Sequence, residues 1–184
     1  MSKRIALLTA AAFGALALTA TIVAPVNAQE KTVMVGGAAM FPSRNIIQNA
    51  VNSKDHTTLV AAVKAAGLVD TLEGKGPFTV FAPTNAAFGK LPAGTVDNLV
   101  KPENQATLTK ILTYHVVPGK LEASDLSDGK KLKTVEGEEL TVKKANGKVM
   151  IVDAKGDTAT VTISNVNQSN GVIHVVDTVL MPAS

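Results

Sequence analysis

The residues best suited to acid–base or metal chemistry in this 184-residue chain are three histidines, His56, His115 and His174. A metal site wants ligands at i, i+2 or i, i+4 on one element, and no two of these histidines have that spacing. His56 stands in a polar stretch at a predicted helix start, where a solvated ring is expected. His115 and His174 lie inside apolar, strand-forming sequence, which predicts hydrogen-bonded core imidazoles. Asp153 and Asp177 are the carboxylates that could pair with His174, but residues 174 and 177 of one strand point to opposite faces. A serine nucleophile would want a strained Gly-x-Ser-x-Gly turn, and a phosphate or dinucleotide loop would want a glycine pattern between strand and helix; neither is present. The chain has no Cys, which removes thiol nucleophiles, thiolate metal sites, iron–sulfur clusters, disulfides and a lipidated cysteine. These absences predict a protein that is not an enzyme, holds no metal and needs no cofactor. Asn167-Gln168-Ser169 is formally a glycosylation acceptor.

The charge distribution points away from nucleic acid. Lys3 and Arg4 precede an apolar run from Ile5 to Val23, and Val26-Asn27-Ala28 supplies small residues for a cleavage site, the pattern of a signal peptide over residues 1–28. Its removal leaves 156 residues with 16 basic against 15 acidic side chains, a net charge of +1. Lys130, Lys131, Lys133, Lys143 and Lys144 cluster, but Asp125, Asp128, Glu136, Glu138 and Glu139 are interleaved with them, so the surface reads as mixed and solvated. The expectation is an exported protein, periplasmic or extracellular, with no membrane span after cleavage.

Several elements must position these side chains. Residues 29–42 lack periodicity and contain Gly36-Gly37, so a flexible leader is expected, followed by a single domain over 43–184. Ser43 is a candidate N-cap for a helix with Ile46, Ile47, Ala50 and Val51 on one face. Thr57 or Thr58 opens a second helix striped by Leu59, Val60, Ala62, Val63 and Ala66 and ended by Gly67. Phe78 to Phe81 reads as a strand, Thr84 and Thr95 as helix caps, and Pro102 as the first turn of a helix that buries Leu108, Ile111 and Leu112 and ends near Tyr114. After residue 130 the period becomes two. Asn146-Gly147 is a hairpin turn that pairs Val142 with Ile151 and Lys144 with Val149. Thr158 to Ile163 alternates, and Gly171 to Leu180 is apolar on both faces, as a strand buried between layers must be. Helices first and strands later make an α+β fold.

Three segments are distinctive together. Phe78-Thr79-Val80-Phe81-Ala82-Pro83-Thr84-Asn85-Ala86-Ala87-Phe88 joins strand to helix and carries three of the six aromatic residues, with Thr84 and Asn85 read as capping groups. Asn170-Gly171-Val172-Ile173-His174-Val175-Val176-Asp177-Thr178-Val179-Leu180-Met181-Pro182 closes the chain. Ile111-Leu112-Thr113-Tyr114-His115-Val116-Val117-Pro118-Gly119 lies between. In order and spacing these resemble the two signatures and the Tyr-His segment of the fasciclin (FAS1) domain family, in its single-domain secreted bacterial form.

The resemblance implies a FAS1 fold, a wedge-like β-sandwich with helices packed along one side. It implies adhesion, with a cell-surface or matrix protein or a polysaccharide as partner. In animal members the Tyr-His segment is implicated in integrin binding, which would fall on Tyr114 and His115; read from the residues alone, the same pair is a hydrogen-bonded core element. The family's Asp-Ile integrin pair is replaced here by Asn165-Val166. Some members carry carotenoids, so an apolar small molecule is the alternative ligand.

Overall fold

The computed structural model describes residues 31–183; the predicted signal peptide lies outside them. The helices are Ile46–Ala50 (α1), Thr57–Ala65 (α2), Val69–Glu73 (α3), Asn85–Gly89 (α4), Thr95–Leu99 (α5) and Gln105–Tyr114 (α6). The strands are Val33–Val35 (β1), Ala38–Met40 (β2), Phe78–Pro83 (β3), Val116–Pro118 (β4), Lys131–Lys133 (β5), Glu139–Ala145 (β6), Lys148–Val152 (β7), Thr158–Gln168 (β8) and Gly171–Val176 (β9). Seven strands form one sheet in the order β4-β3-β9-β8-β7-β6-β5, antiparallel throughout except for the parallel pair β3–β9. With the helices, this is the α+β architecture the sequence predicts.

Two cores explain why β3 and β9 are apolar on both faces. Val80, Ala82, Ile173 and Val175 face a core shared with α1, α2, α4 and α6. Phe81 and Val176 face a second core, built with Leu132, Leu140, Val142 and Ile151 from the far half of the curled sheet. The Asn146-Gly147 turn has both residues at positive φ, 52° and 73°, and sets the predicted register of Val142 opposite Ile151 and Lys144 opposite Val149. β8 runs on to Gln168, past the predicted end at Ile163, because register shifts between Val161 and Val166 re-aim its side chains from one core to the other.

The parallel pair admits no side chain at its start. A Cβ on Gly171 would collide with the Phe78 carbonyl, so only glycine lets the two backbones meet there. Beside it, Asn170 joins three elements. Its Oδ1 accepts the Ile46 N–H at 3.1 Å, opening α1, while its Nδ2 donates to the Leu72 and Gly74 carbonyls at 2.7 and 2.9 Å, closing α3.

Four local expectations are corrected. Residues 33–40 are not a leader: β1 and β2 pair as a hairpin with Val35 and Met40 buried in the helix-side core. Gly36 at its turn lies so close to Ser53 and the Lys54 and Asp55 backbone that no side chain fits, and its carbonyl accepts the Lys54 N–H at 3.2 Å. The α1 cap is Asn45, not Ser43, because Asn45 and Gln48 form a reciprocal capping box with bonds of 2.8 and 3.1 Å. α2 has no cap from Thr57 or Thr58 side chains; Asn85 reaches across and accepts the Thr58 N–H at 3.0 Å. Thr84 does cap α4, through the Ala87 N–H, whereas Thr95 lies inside α5, whose N-cap is Gly94 at φ 80°.

Candidate functional site

His115 follows the last residue of α6, where the turn aims its ring inward. Its Nδ1 meets the Ile111 carbonyl at 2.8 Å and its Nε2 the Leu180 N–H at 3.0 Å. A carbonyl needs a donor and an N–H needs an acceptor, so these partners assign the neutral Nδ1–H tautomer. Burial pushes its pKa from 6.5 down to about 4, against the smaller opposing pull of the Ile111 carbonyl and Asp153. Tyr114 is wholly enclosed: its hydroxyl donates to the Glu139 carbonyl at 3.3 Å and accepts the Ala154 N–H at 2.9 Å. Burial pushes that phenol up to about 12. The Tyr-His pair is therefore interior, and the binding contact implied for Tyr114 and His115 is corrected: neither side chain has surface to offer a partner.

His174 stacks on Phe81, its parallel-strand neighbour, with centroids 5.7 Å apart and planes inclined at 26°. Its Nε2 donates to the Leu121 carbonyl at 2.8 Å, and its Nδ1 lies 3.4 Å from the Asn165 N–H. Burial lowers its pKa. Asn165 sits at φ 57° in the irregular stretch of β8, and its Oδ1 accepts the Ala123 N–H at 2.7 Å, so at the position of the family's integrin pair this chain carries a loop anchor. Asp177 turns away from His174, as the strand alternation predicts. It accepts the Thr160 N–H at 2.8 Å and meets Lys90 in an exposed ion pair at 3.8 Å. Asp153 closes its own turn through the Lys155 and Asp157 N–H groups and holds the end of the chain through the Met181 N–H at 2.9 Å.

His56 overturns the expectation of a solvated ring. It is 4 % exposed, and its Nδ1 lies 2.9 Å from the Ser53 Oγ. Its Nε2 is buried without a partner in hydrogen-bonding geometry. Burial lowers its pKa, partly offset by the Ala82 carbonyl and Asp55. The ring lines an internal cavity of about 40 Å³, walled by aliphatic side chains including Val35, Met40, Ile47, Val63 and Ile173. Val35 and Met40 come from the β1–β2 hairpin, where the sequence predicts a leader. Its signal was present in the sequence as apolar residues flanking Gly36-Gly37, a favoured two-residue hairpin turn.

The other signature residues are structural too. Phe78, Phe81 and Pro83 shape β3, with Phe81 fully buried, and Phe88 carries α4 onto the helix-side core. Asn85 joins α4 to α2 by donating to the Lys54 carbonyl at 2.9 Å while capping Thr58. Asn167 is half-buried within a paired strand, so the glycosylation tripeptide does not present its amide freely. Among the described residues no group of three or more His, Asp or Glu converges, and no helix is long and apolar enough to cross a membrane.

The fasciclin domain family model matches residues 54–182. The chain belongs to the fasciclin domain family. The match begins at Lys54, after the hairpin and α1. Among relatives, protein sll1483 of Synechocystis sp. is 47% identical over 181 residues, which cover 98% of this chain and 97% of the relative. The immunogenic protein MPB70 of Mycobacterium bovis is 39% identical over 138 residues, 72% of this chain and 66% of its own. The cell surface glycolipoprotein MPB83 of the same species is 39% identical over 153 residues, 80% and 64%. A FAS1 domain pair from the insect cell adhesion molecule Fasciclin I superposes with a TM-score of 0.68 at 18% identity, covering 83% of this chain and 58% of that one. That likeness shows the FAS1 fold.

The buried histidines give this fasciclin domain a definite acid response. A His whose folded pKa lies below its unfolded value takes up a proton on unfolding, so stability falls as pH drops through the window between the two. For His115 that window runs from 6.5 to about 4, a loss of about 3 kcal/mol. His56 and His174 act in the same direction. Urea unfolding at pH 7 and at successive values down to pH 4 is expected to show at least this loss; a flat curve would contradict the buried neutral tautomers.

Proposed function

We propose that this fasciclin domain is a secreted, non-enzymatic binding module that attaches its cell to a surface, to matrix or to polysaccharide. The observation that carries the reading is the fate of its reactive side chains. His115, His174, Tyr114 and Asp153 are consumed by bonds within the fold, which leaves the exterior and not a catalytic cleft to meet other molecules. Export rests on the signal-like residues 1–28, and the names of two relatives, a cell surface glycolipoprotein and a cell adhesion molecule, agree with it. Deleting the gene and measuring attachment to several surfaces tests the proposal. A loss of attachment restored by the full-length gene is expected, and unchanged attachment would contradict it.

The cavity beside His56 favours a second reading, a carrier of an apolar small molecule. Its volume of about 40 Å³ exceeds the roughly 10–15 Å³ one water needs, and its aliphatic walls suit an apolar guest. A carotenoid is many times larger, so it would enter only if the β1–β2 hairpin and α1 lifted from the sheet. Protein purified from its native source should then show a visible absorbance band that solvent extraction removes; a colourless preparation would overturn the carotenoid form of this reading.

A further inference from the structure

Strand alternation sorts charges that the sequence leaves interleaved. β5, β6 and β7 turn Leu132, Leu140, Val142 and Ile151 into the sheet-side core, so Lys131, Lys133, Lys143 and Lys148 stand on the opposite, outer face. The helix-side core takes no residue from these three strands, and all four lysines are exposed. Most acidic residues near them in sequence are held by other partners. Asp125 and Asp128 accept the Glu122 and Lys144 N–H groups, Glu136 pairs with Lys110, and Glu138 accepts the Ala183 N–H. Lys130 and Lys144 fold back onto the Asp125 and Ala123 carbonyls. Glu139 stays on the outer face, 3.4 Å from Lys131 in an exposed pair that solvent weakens. Lys133, Lys143 and Lys148 have no ion pair among the described residues.

The register arranges the four lysines in a line. Lys133 lies opposite Glu139, Lys131 opposite Thr141, Lys143 opposite Met150 and Lys148 opposite Ala145. From Lys133 to Lys131, Lys143 and Lys148, each step advances two residues along the sheet, and the last two steps also cross one strand. With about 3.4 Å per residue and about 4.8 Å between strands, neighbouring lysines sit about 7–8 Å apart in a diagonal row of roughly 20 Å. Thr141 lies beside this row, and Thr158 and Thr160 extend the same face on β8. The turn at the far corner carries both Asp157 and Lys155, which balance. In a chain whose net charge after residue 28 is +1, the row concentrates positive charge on one face.

We infer that this row binds a linear acidic polysaccharide, with its acidic groups along the lysines and its hydroxyls against Thr141, Thr158 and Thr160. Threonine hydroxyls both donate and accept, which matches sugar hydroxyls. A protein partner's interface core wants aromatic and apolar anchors, and this face offers only the half-buried Met150 and Val152. Base stacking wants aromatic platforms and bidentate phosphate binding wants arginine, and these strands carry neither. Insertion into a membrane interface wants exposed apolar side chains, which the row lacks. The inference rests on the binding-module reading and names its partner class.

The test titrates the purified protein with polygalacturonate by calorimetry and maps the contact by amide NMR shifts, with neutral dextran, polyglutamate, single-stranded DNA and phosphatidylglycerol vesicles as probes of other classes. Saturable binding of polygalacturonate that weakens as salt rises, with shifts at residues 131–133, 141–143 and 148–150, is expected. The double change Lys133→Gln, Lys143→Gln should weaken it about tenfold with an unchanged melting temperature, since both side chains are exposed, while Lys64→Gln on α2 leaves it unchanged. No binding, shifts confined to other surfaces, binding of any other probe as tight as that of polygalacturonate, or an affinity indifferent to the two lysines would each overturn the inference. It fails separately from the reading beneath it. Attachment lost on gene deletion without polygalacturonate binding overturns this inference alone, and polygalacturonate binding with attachment unchanged by deletion overturns the attachment role alone.

Discussion

The parallel contact between β3 and β9 is the constraint on which the rest of the structure depends. Two strands more than ninety residues apart in the chain lie side by side, with apolar side chains on both faces, and divide the molecule into a helix-side core and a sheet-side core. Burying both faces makes an unpartnered polar group beside them costly, since water is excluded. That demand accounts for the polar residues of the two signature segments. Asn170 ties β9 to the ends of α1 and α3, Asn85 ties α4 to α2, and His174 lies flat on Phe81 and reaches the loop at Leu121. Gly171 is there because a backbone, not a side chain, occupies the place of its Cβ.

The Tyr-His segment belongs to the same scheme. Tyr114 and His115 end α6, and their polar atoms reach the β6 backbone, the turn at Ala154 and the chain end at Leu180. A change at either residue that weakened adhesion would act through these tethers and not through a lost surface contact. Residues 180–183 are held three times over, by His115 at Leu180, by Asp153 at Met181 and by Glu138 at Ala183.

What the sequence disclosed was the local part. Asn146-Gly147 fixes its hairpin because the turn geometry alone sets the register, and Pro102 and Thr84 act within one turn of themselves. The two-faced apolar character of residues 171–180 announced a buried strand, though not that its neighbour is β3. What depends on a distant partner is not legible in the local sequence. Asn85 caps a helix that begins at residue 57, so the threonines of that helix looked like its caps. His56 looked solvated because its neighbours in sequence are polar, yet the hairpin at 33–40 closes over it. That hairpin shows no long period, because its strands are only three residues each.

The central claim is that the β3–β9 pair is the last part of the molecule to open. Native-state hydrogen exchange measured residue by residue tests it most directly. The amides of Val80 to Ala82 and of Val172 to Val175 should exchange only through global unfolding, with an opening free energy equal to that from urea denaturation, while those of β1 and β2 open at lower cost. Exchange of the β3 and β9 amides by a smaller local opening, with the hairpin better protected than they are, would contradict the account.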